Sequence, residues 1–172
     1  MTKQRNMGLD IAAKVSLGAG VLTLATVGLA YANGYWMNTT SSLAPGIYRT
    51  VDTPVTLEKG MVVSFCLPAV NRARIPSGYT HVRSGTCPDG SAPMAKRIQS
   101  IDADPRADQD FPVLDKGRFG PLHAYEGPPE GCWVFGDHPH SLDSRYFGPV
   151  DCSVMDVIEP VLTLQESYYD RL

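Results

Sequence analysis

The chain reads as a mainly β protein, an antiparallel-sheet domain behind one N-terminal transmembrane helix. Three observations predict this. Val15 to Ala32 is an apolar run without a charge. The 16 glycines and 14 prolines are spread along the 172 residues, which favours short strands and turns over long helices. Between them lie brief segments rich in β-branched and aromatic residues.

Taken in order, residues 1–8 form a short cytoplasmic N-terminus, 9–32 the anchor and 33–172 an exported domain. A bilayer-spanning helix needs about 20 apolar residues, and Val15 to Ala32 with its flanks is just long enough. Tyr31, Tyr35 and Trp36 come next, where aromatic rings suit the lipid–water boundary. Lys3, Arg5 and Lys14 precede the run, so the positive-inside rule keeps the N-terminus in the cytoplasm and exports the chain beyond Asn33. Ala30-Tyr31-Ala32 also has the small-x-small form of a leader cleavage site, so a cleavable signal peptide is the alternative to a retained anchor. Either way the remainder is exported.

Asn33 to Ser42 reads as a polar tether. Strands are expected at Gly46–Val51, at Met61–Leu67 (stopped by Pro68), at Ala92–Ile101, at Cys132–Phe135 and, once or twice around Pro160, within Val154–Leu164. Ala69 to Gly90 is basic and turn-rich, and Asp102 to Asp110 reads as a loop. No segment carries a convincing amphipathic helix.

Composition narrows the function classes. A hydrophobic content of 43% with 19% charged residues describes a globular chain. The net charge of −3 offers no basic face, so nucleic acid is not an expected partner. Cys66, Cys87, Cys132 and Cys152 all lie in the exported part, where disulfides are the default. Joining neighbours (Cys66 with Cys87, Cys132 with Cys152) would close two loops of about 20 residues, each worth about 3 kcal/mol in the chain-entropy model. Three connectivities are possible, and a zinc site combining cysteines with His138 and His140 is a further alternative of poor spacing.

Three separated segments carry the chemistry: Thr39 to Tyr48, Met94 to Ile98 and Gly136 to Val150. Singly, each has a plain reading as linker, solvated basic pair or surface turn. Together, and in this order, they resemble the bacterial type I signal peptidase family. Ser42-Leu43-Ala44-Pro45-Gly46 is similar to that family's Ser-Met-x-Pro nucleophile segment, with Leu43 in place of Met. Lys96-Arg97-Ile98 is similar to its Lys-Arg-[Val/Ile] base segment. Gly136-Asp137-His138 with Ser141 to Val150 is similar to Gly-Asp-Asn followed by Ser-x-Asp-Ser-Arg-x-x-Gly-x-Val, with His138 in place of Asn. Thr40, Ser42, Pro45, Gly46 and Tyr48 also fit the Thr-x-Ser-x-x-Pro-Gly-x-Tyr form of the small TraF-type conjugative transfer signal peptidases. The resemblance departs after Ile98, where Gln99-Ser100-Ile101-Asp102 replaces a Gly-x-x-Gly-Asp turn, so a different backbone path is expected there.

The resemblance implies a signal-peptidase-like domain and a serine endopeptidase with Ser42 as nucleophile and Lys96 as general base. Thr40 and the Ser42 backbone N–H would be oxyanion donors. Ser141 would orient Lys96, and Asp143 with Arg145 would hold the Ser141 turn. No cofactor and no metal is called for. Partners would be a precursor protein, pilin-like and with small residues near the cleavage site, together with the inner membrane and conjugation or type IV secretion components. The location would be the bacterial inner membrane, single-pass, with the catalytic domain periplasmic. Processing could end in hydrolysis or in head-to-tail cyclisation. Competing readings are a general leader peptidase, a disulfide-stapled binding module of a conjugation complex, and a thiol protease using Cys132 or Cys152.

The chemistry sets one demand. A lysine with pKa about 10.4 is neutral less than about 0.1% of the time near pH 7. Lowering that pKa by about 3 units means disfavouring the ammonium by about 4 kcal/mol, which burial can do. Lys96 is therefore expected to be buried without a carboxylate partner, walled by Met94, Ile98 and the Val62-Val63-Phe65 strand, and within reach of Ser42 and Ser141.

Overall fold

The computed structural model describes residues 2–51, 56–75, 84–107, 116–117 and 120–164, with backbone alone for 2–11, 116–117 and 120–121. Two compact units divide the chain, Met1–Trp36 and Met37–Leu172.

The first unit is dominated by one helix, α1 (Thr2–Ala32), and ends with the first two residues of a strand, Tyr35 and Trp36. Its stretch Ala12–Ala32, 21 residues with mean hydropathy 1.7, is long and apolar enough to cross a membrane. At 1.5 Å rise it reaches about 31 Å, one hydrocarbon thickness. Thr23 and Thr26 donate their hydroxyls to the carbonyls of Ala19 and Leu22 at 2.9 Å, so neither is left without a partner on an apolar surface. The helix stops at Asn33, whose side-chain amide donates to Leu29 O at 2.7 Å, and at Gly34, whose φ of 77° suits a residue without a side chain.

The second unit is built on a mainly antiparallel sheet of β1 (Tyr35–Asn38), β2 (Gly46–Thr50), β3 (Val62–Phe65), β4 (Met94–Ile101), β7 (Cys132–Phe135) and β8 (Asp156–Thr163), in the order β1-β2-β8-β3-β4-β7. A separate ribbon pairs β5 (Lys116–Gly117) with β6 (Gly120–Pro121). Two single-turn helices, α2 (Ala69–Arg72) and α3 (Ser144–Phe147), and two 3-10 turns, Pro105–Ala107 and Cys152–Val154, are the other described elements. The expected antiparallel β class is the observed one. The polar-tether reading of Asn33–Ser42 needs correction, because Tyr35–Asn38 is strand: aromatic residues suit a pleated, half-buried surface. Around Pro160 there is one strand, not two. Tyr48 pairs with Pro160 and Ile47 with Leu162, so Val161 is the extra residue of a bulge beside the proline that cannot donate to a ladder.

Alternation divides the rest. Val63, Phe65, Ile98, Val134, Phe147 and Val150 form the main core, with Leu142 and Met94 packed on it. Trp133 and Phe135, pointing the other way from Val134, cluster with Tyr125. The disulfides join neighbours, Cys66–Cys87 and Cys132–Cys152. With every cysteine so engaged, a zinc site through their thiolates and a thiol nucleophile at Cys132 or Cys152 are both overturned. Beyond the base segment β4 runs on to Ile101 with Gln99 bulged against β7, and Asp102 takes a φ of 57°. Its carboxylate accepts from Gly131 N at 2.7 Å, and its own N–H donates to Gly131 O at 2.9 Å, so a long-range pair of bonds holds this turn. In the expected loop, Pro105–Ala107 forms a 3-10 turn, while Asp108 and Asp110 lie outside the described residues, as do residues 76–83 of the turn-rich segment.

Candidate active site

Lys96 stands mid-strand on β4, opposite Val63 of β3 and on the same face as Ile98. It is 2% exposed. Its Nζ lies 2.9 Å from Ser42 Oγ and 2.6 Å from Ser141 Oγ, and the two hydroxyl oxygens are 3.3 Å apart. Among the described residues no carboxylate lies within ion-pair distance of Nζ. Burial is the main cause that brings the ammonium pKa down to about 8; Arg145 adds to it, while Asp143 and Asp137 pull the other way from a distance.

Ser141 is placed by a buried frame. Its N–H donates to His138 O at 2.9 Å. Asp143 and Arg145, both with no side-chain exposure, meet through Nε–Oδ1 and Nη2–Oδ2 contacts of 2.8 Å. The same carboxylate accepts from Gly136 N at 3.0 Å, and Arg145 Nη2 donates to Ser141 O at 3.3 Å. One carboxylate thereby ties the end of β7, the Ser141 turn and the start of α3 together. Gly136 must be bare: a Cβ there would sit 2.1 Å from Ser141 Oγ and 3.1 Å from Ser42 O. Ser144 has a different duty, accepting from Val134 N at 3.0 Å, so of the two serines it is Ser141 that faces the lysine. His138, at the position where the resembling family has Asn, is held below the ordinary imidazole range by burial first, then by His140 and Arg145. Arg97, next to the base, pairs outward with Asp137 at 3.2 Å. Asp137 N donates to Ser42 O at 2.7 Å, a direct link between the two halves of the site.

Ser42 is half-buried in the turn between β1 and β2, while Ser41 is exposed. Leu43, in the position of the family's Met, is 2% exposed and anchors the turn. The Ser42 backbone N–H donates to no acceptor among the described residues. The Thr40 hydroxyl donates to Asn38 Oδ1 at 2.8 Å. Tyr48 donates its hydroxyl to Ala44 O at 2.7 Å; burial, and behind it the Asp137 carboxylate, raises its pKa and keeps that proton on.

The residue that sequence reading missed is Asn38. It is 5% exposed, and its amide reaches the carbonyls of Thr40, Leu43 and Ala44 at 3.1, 3.1 and 3.2 Å. Asn two residues before a Thr is an Asx-turn signal, lost here inside a run of small polar residues.

No family model and no solved structure matches the chain. Curated relatives do. A plasmid transfer protein TraF of Escherichia coli is 32% identical over 169 residues, covering 87% of this chain and 94% of the relative. A second Escherichia coli plasmid transfer protein TraF is 33% identical over 165 residues, covering 84% and 92%. The probable conjugal transfer protein TraF of Sinorhizobium fredii is 27% identical over 183 residues, covering 95% of each. At this identity over nearly the whole of both chains, the protein belongs to the TraF family of plasmid transfer proteins.

Proposed function

We propose that this chain is a membrane-anchored serine endopeptidase of plasmid conjugation, in which Ser42 and Lys96 form the catalytic dyad and a pilin-like precursor is the substrate. The observation that carries the reading is a buried lysine with no carboxylate partner among the described residues, in hydrogen-bond contact with both a turn serine and an orienting serine. The names of the relatives support the conjugative role. Helix α1 serves as the anchor in the inner membrane, and the disulfides suit a periplasmic catalytic domain.

With a pKa of about 8, Lys96 is neutral about 10% of the time at pH 7, on the order of 100-fold or more above an ordinary lysine. The neutral amine, held by Ser141, takes the proton of Ser42 as Oγ bonds to the scissile carbonyl carbon. The carbonyl oxygen becomes an oxyanion that the Ser42 N–H meets. Lys96, now an ammonium, returns the proton to the departing amine as the C–N bond breaks, leaving an ester on Ser42. Water, or the precursor's own amine with formation of a cyclic product, then resolves the ester.

Precursor pilin incubated with membranes carrying wild-type, Ser42→Ala or Lys96→Ala protein tests the reading. Both variants are expected to lose processing; conversion by Ser42→Ala at the wild-type rate would remove the proposal.

A further inference from the structure

We infer that Asn38 is a positioning residue for catalysis, a carboxamide clasp that sets the Ser42 N–H and Oγ in their reactive directions. The inference rests on the Ser42–Lys96 reading and extends it to a residue that touches neither side chain.

The geometry is specific. Asn38 ends β1, and its carboxamide makes five hydrogen bonds, all to the turn that carries Ser42. Nδ2 donates to carbonyls on both sides of the nucleophile, Thr40 before it and Leu43 and Ala44 after it. Oδ1 accepts from Thr40 N at 3.1 Å and from the Thr40 hydroxyl at 2.8 Å. An amide is the group that can do this, since it offers donors at one end and acceptor lone pairs at the other. An aspartate would set a charged acceptor against three carbonyl oxygens, and alanine would take this donor from all three, leaving Ala44 O with the Tyr48 hydroxyl.

The effect of the clasp comes from where the carbonyls point. With Thr40 O, Leu43 O and Ala44 O drawn to Asn38, Ser42 N is left unbonded among the described residues, and Ser42 O accepts from Asp137 N. The turn is thus fixed from inside by Asn38 and from across the site by Asp137, with Ser42 between them. The clasp also holds the hydroxyl of Thr40 away from an oxyanion in the resting site. That hydroxyl serves an oxyanion only after rotating off Oδ1, and Asn38 keeps its other four bonds when it does.

The test uses the full-length protein in detergent and a synthetic peptide spanning a precursor pilin's processing site, with Ala flanking the scissile bond. Wild type, Asn38→Ala, Asn38→Asp, Thr40→Val and Ser42→Ala are compared for kcat, KM, the pH midpoint of kcat/KM and Tm. A clasp predicts that Asn38→Ala and Asn38→Asp lose about 10- to 100-fold in kcat, with KM within about twofold. The pH midpoint near 8 stays in place, because the surroundings of Lys96 are untouched. Thr40→Val, which keeps the amide's bonds to the carbonyls, loses less than either. An unchanged kcat, a loss in KM alone, a displaced pH midpoint or failure of both Asn38 variants to fold would each overturn the inference. Ser42→Ala separates the two levels: if it still cuts the peptide, the dyad reading fails; if it is dead while Asn38→Ala is fully active, the clasp alone fails.

Discussion

The two halves of the candidate site are held by opposite means. On the base side, Lys96, Ser141, Asp143 and Arg145 are all buried, set on β4 and on the turn between β7 and α3, and joined by an ion pair with no exposure. On the nucleophile side, Thr39, Thr40 and Ser41 are exposed, Ser42 is half-buried, and neutral hydrogen bonds fix the turn. The difference teaches that the fold spends its rigidity on the lysine. A desolvated amine works only if water and carboxylates are kept away, which requires a packed frame. In the proposed reaction Ser42 must also meet a polypeptide, which needs access, and a hydrogen-bonded turn at the surface suits that.

This contrast can be broken most severely at the ion pair. Arg145→Ala leaves Asp143 buried without its partner and is expected to cost about 3–5 kcal/mol, read as a fall in Tm. A loss below about 1 kcal/mol would mean that the frame is not held by charge. Lys96→Met is expected to act in the opposite direction. The folded pKa of Lys96 is depressed from 10.5 to about 8, so its charged form costs the fold about 3 kcal/mol below pH 8. That cost fades as pH rises from about 8 to 10.5. The variant should therefore melt higher than wild type at pH 7 and converge with it above pH 10, while losing processing. Equal melting at both pH values would contradict the buried-ammonium account.

Gly136→Ala sharpens the boundary between the halves. The new Cβ would meet Ser141 Oγ, so Ser141 must move off Lys96. Overpacking of this kind costs about 1–3 kcal/mol, and the displaced orienter about 100-fold in processing rate. An intact rate would show that Ser141 does not orient the base. Ser41→Ala gives the smallest effect: its neighbour faces Lys96 while it faces solvent, so processing within twofold and stability within about 0.5 kcal/mol are expected.

Much of this was legible in the residues, for reasons the contrast explains. The Gly136–Val150 segment carries its geometry in its spelling: a bare residue where Ser141 approaches, an aspartate and an arginine two apart across the start of α3, and Gly148 with φ 80° beyond it. The strand Cys132–Phe135 was likewise readable, whereas the pairing of neighbouring cysteines was one of three open connectivities, which only the fold decides. The nucleophile turn was less so. Asn33–Ser42 has the composition of a linker, and its weak local signals, two aromatic residues and an Asn two before Thr40, do not say that Tyr35–Asn38 joins a sheet or that Asn38 turns back onto three carbonyls. Whether the Thr40 hydroxyl points to an oxyanion or to Asn38 depends on a rotamer, which no spacing encodes. The bulge at Gln99 escaped for the same reason, since register is settled between β4 and β7 and not within either.

The most direct test of the central claim is the pH dependence of precursor cleavage by wild type and Lys96→Ala between pH 6 and 10. A neutral buried lysine acting on Ser42 predicts that kcat/KM of the wild type rises with a midpoint near 8 and that Lys96→Ala stays at background throughout. A wild-type profile that is flat through pH 8, or cleavage by Lys96→Ala at the wild-type rate, would contradict it.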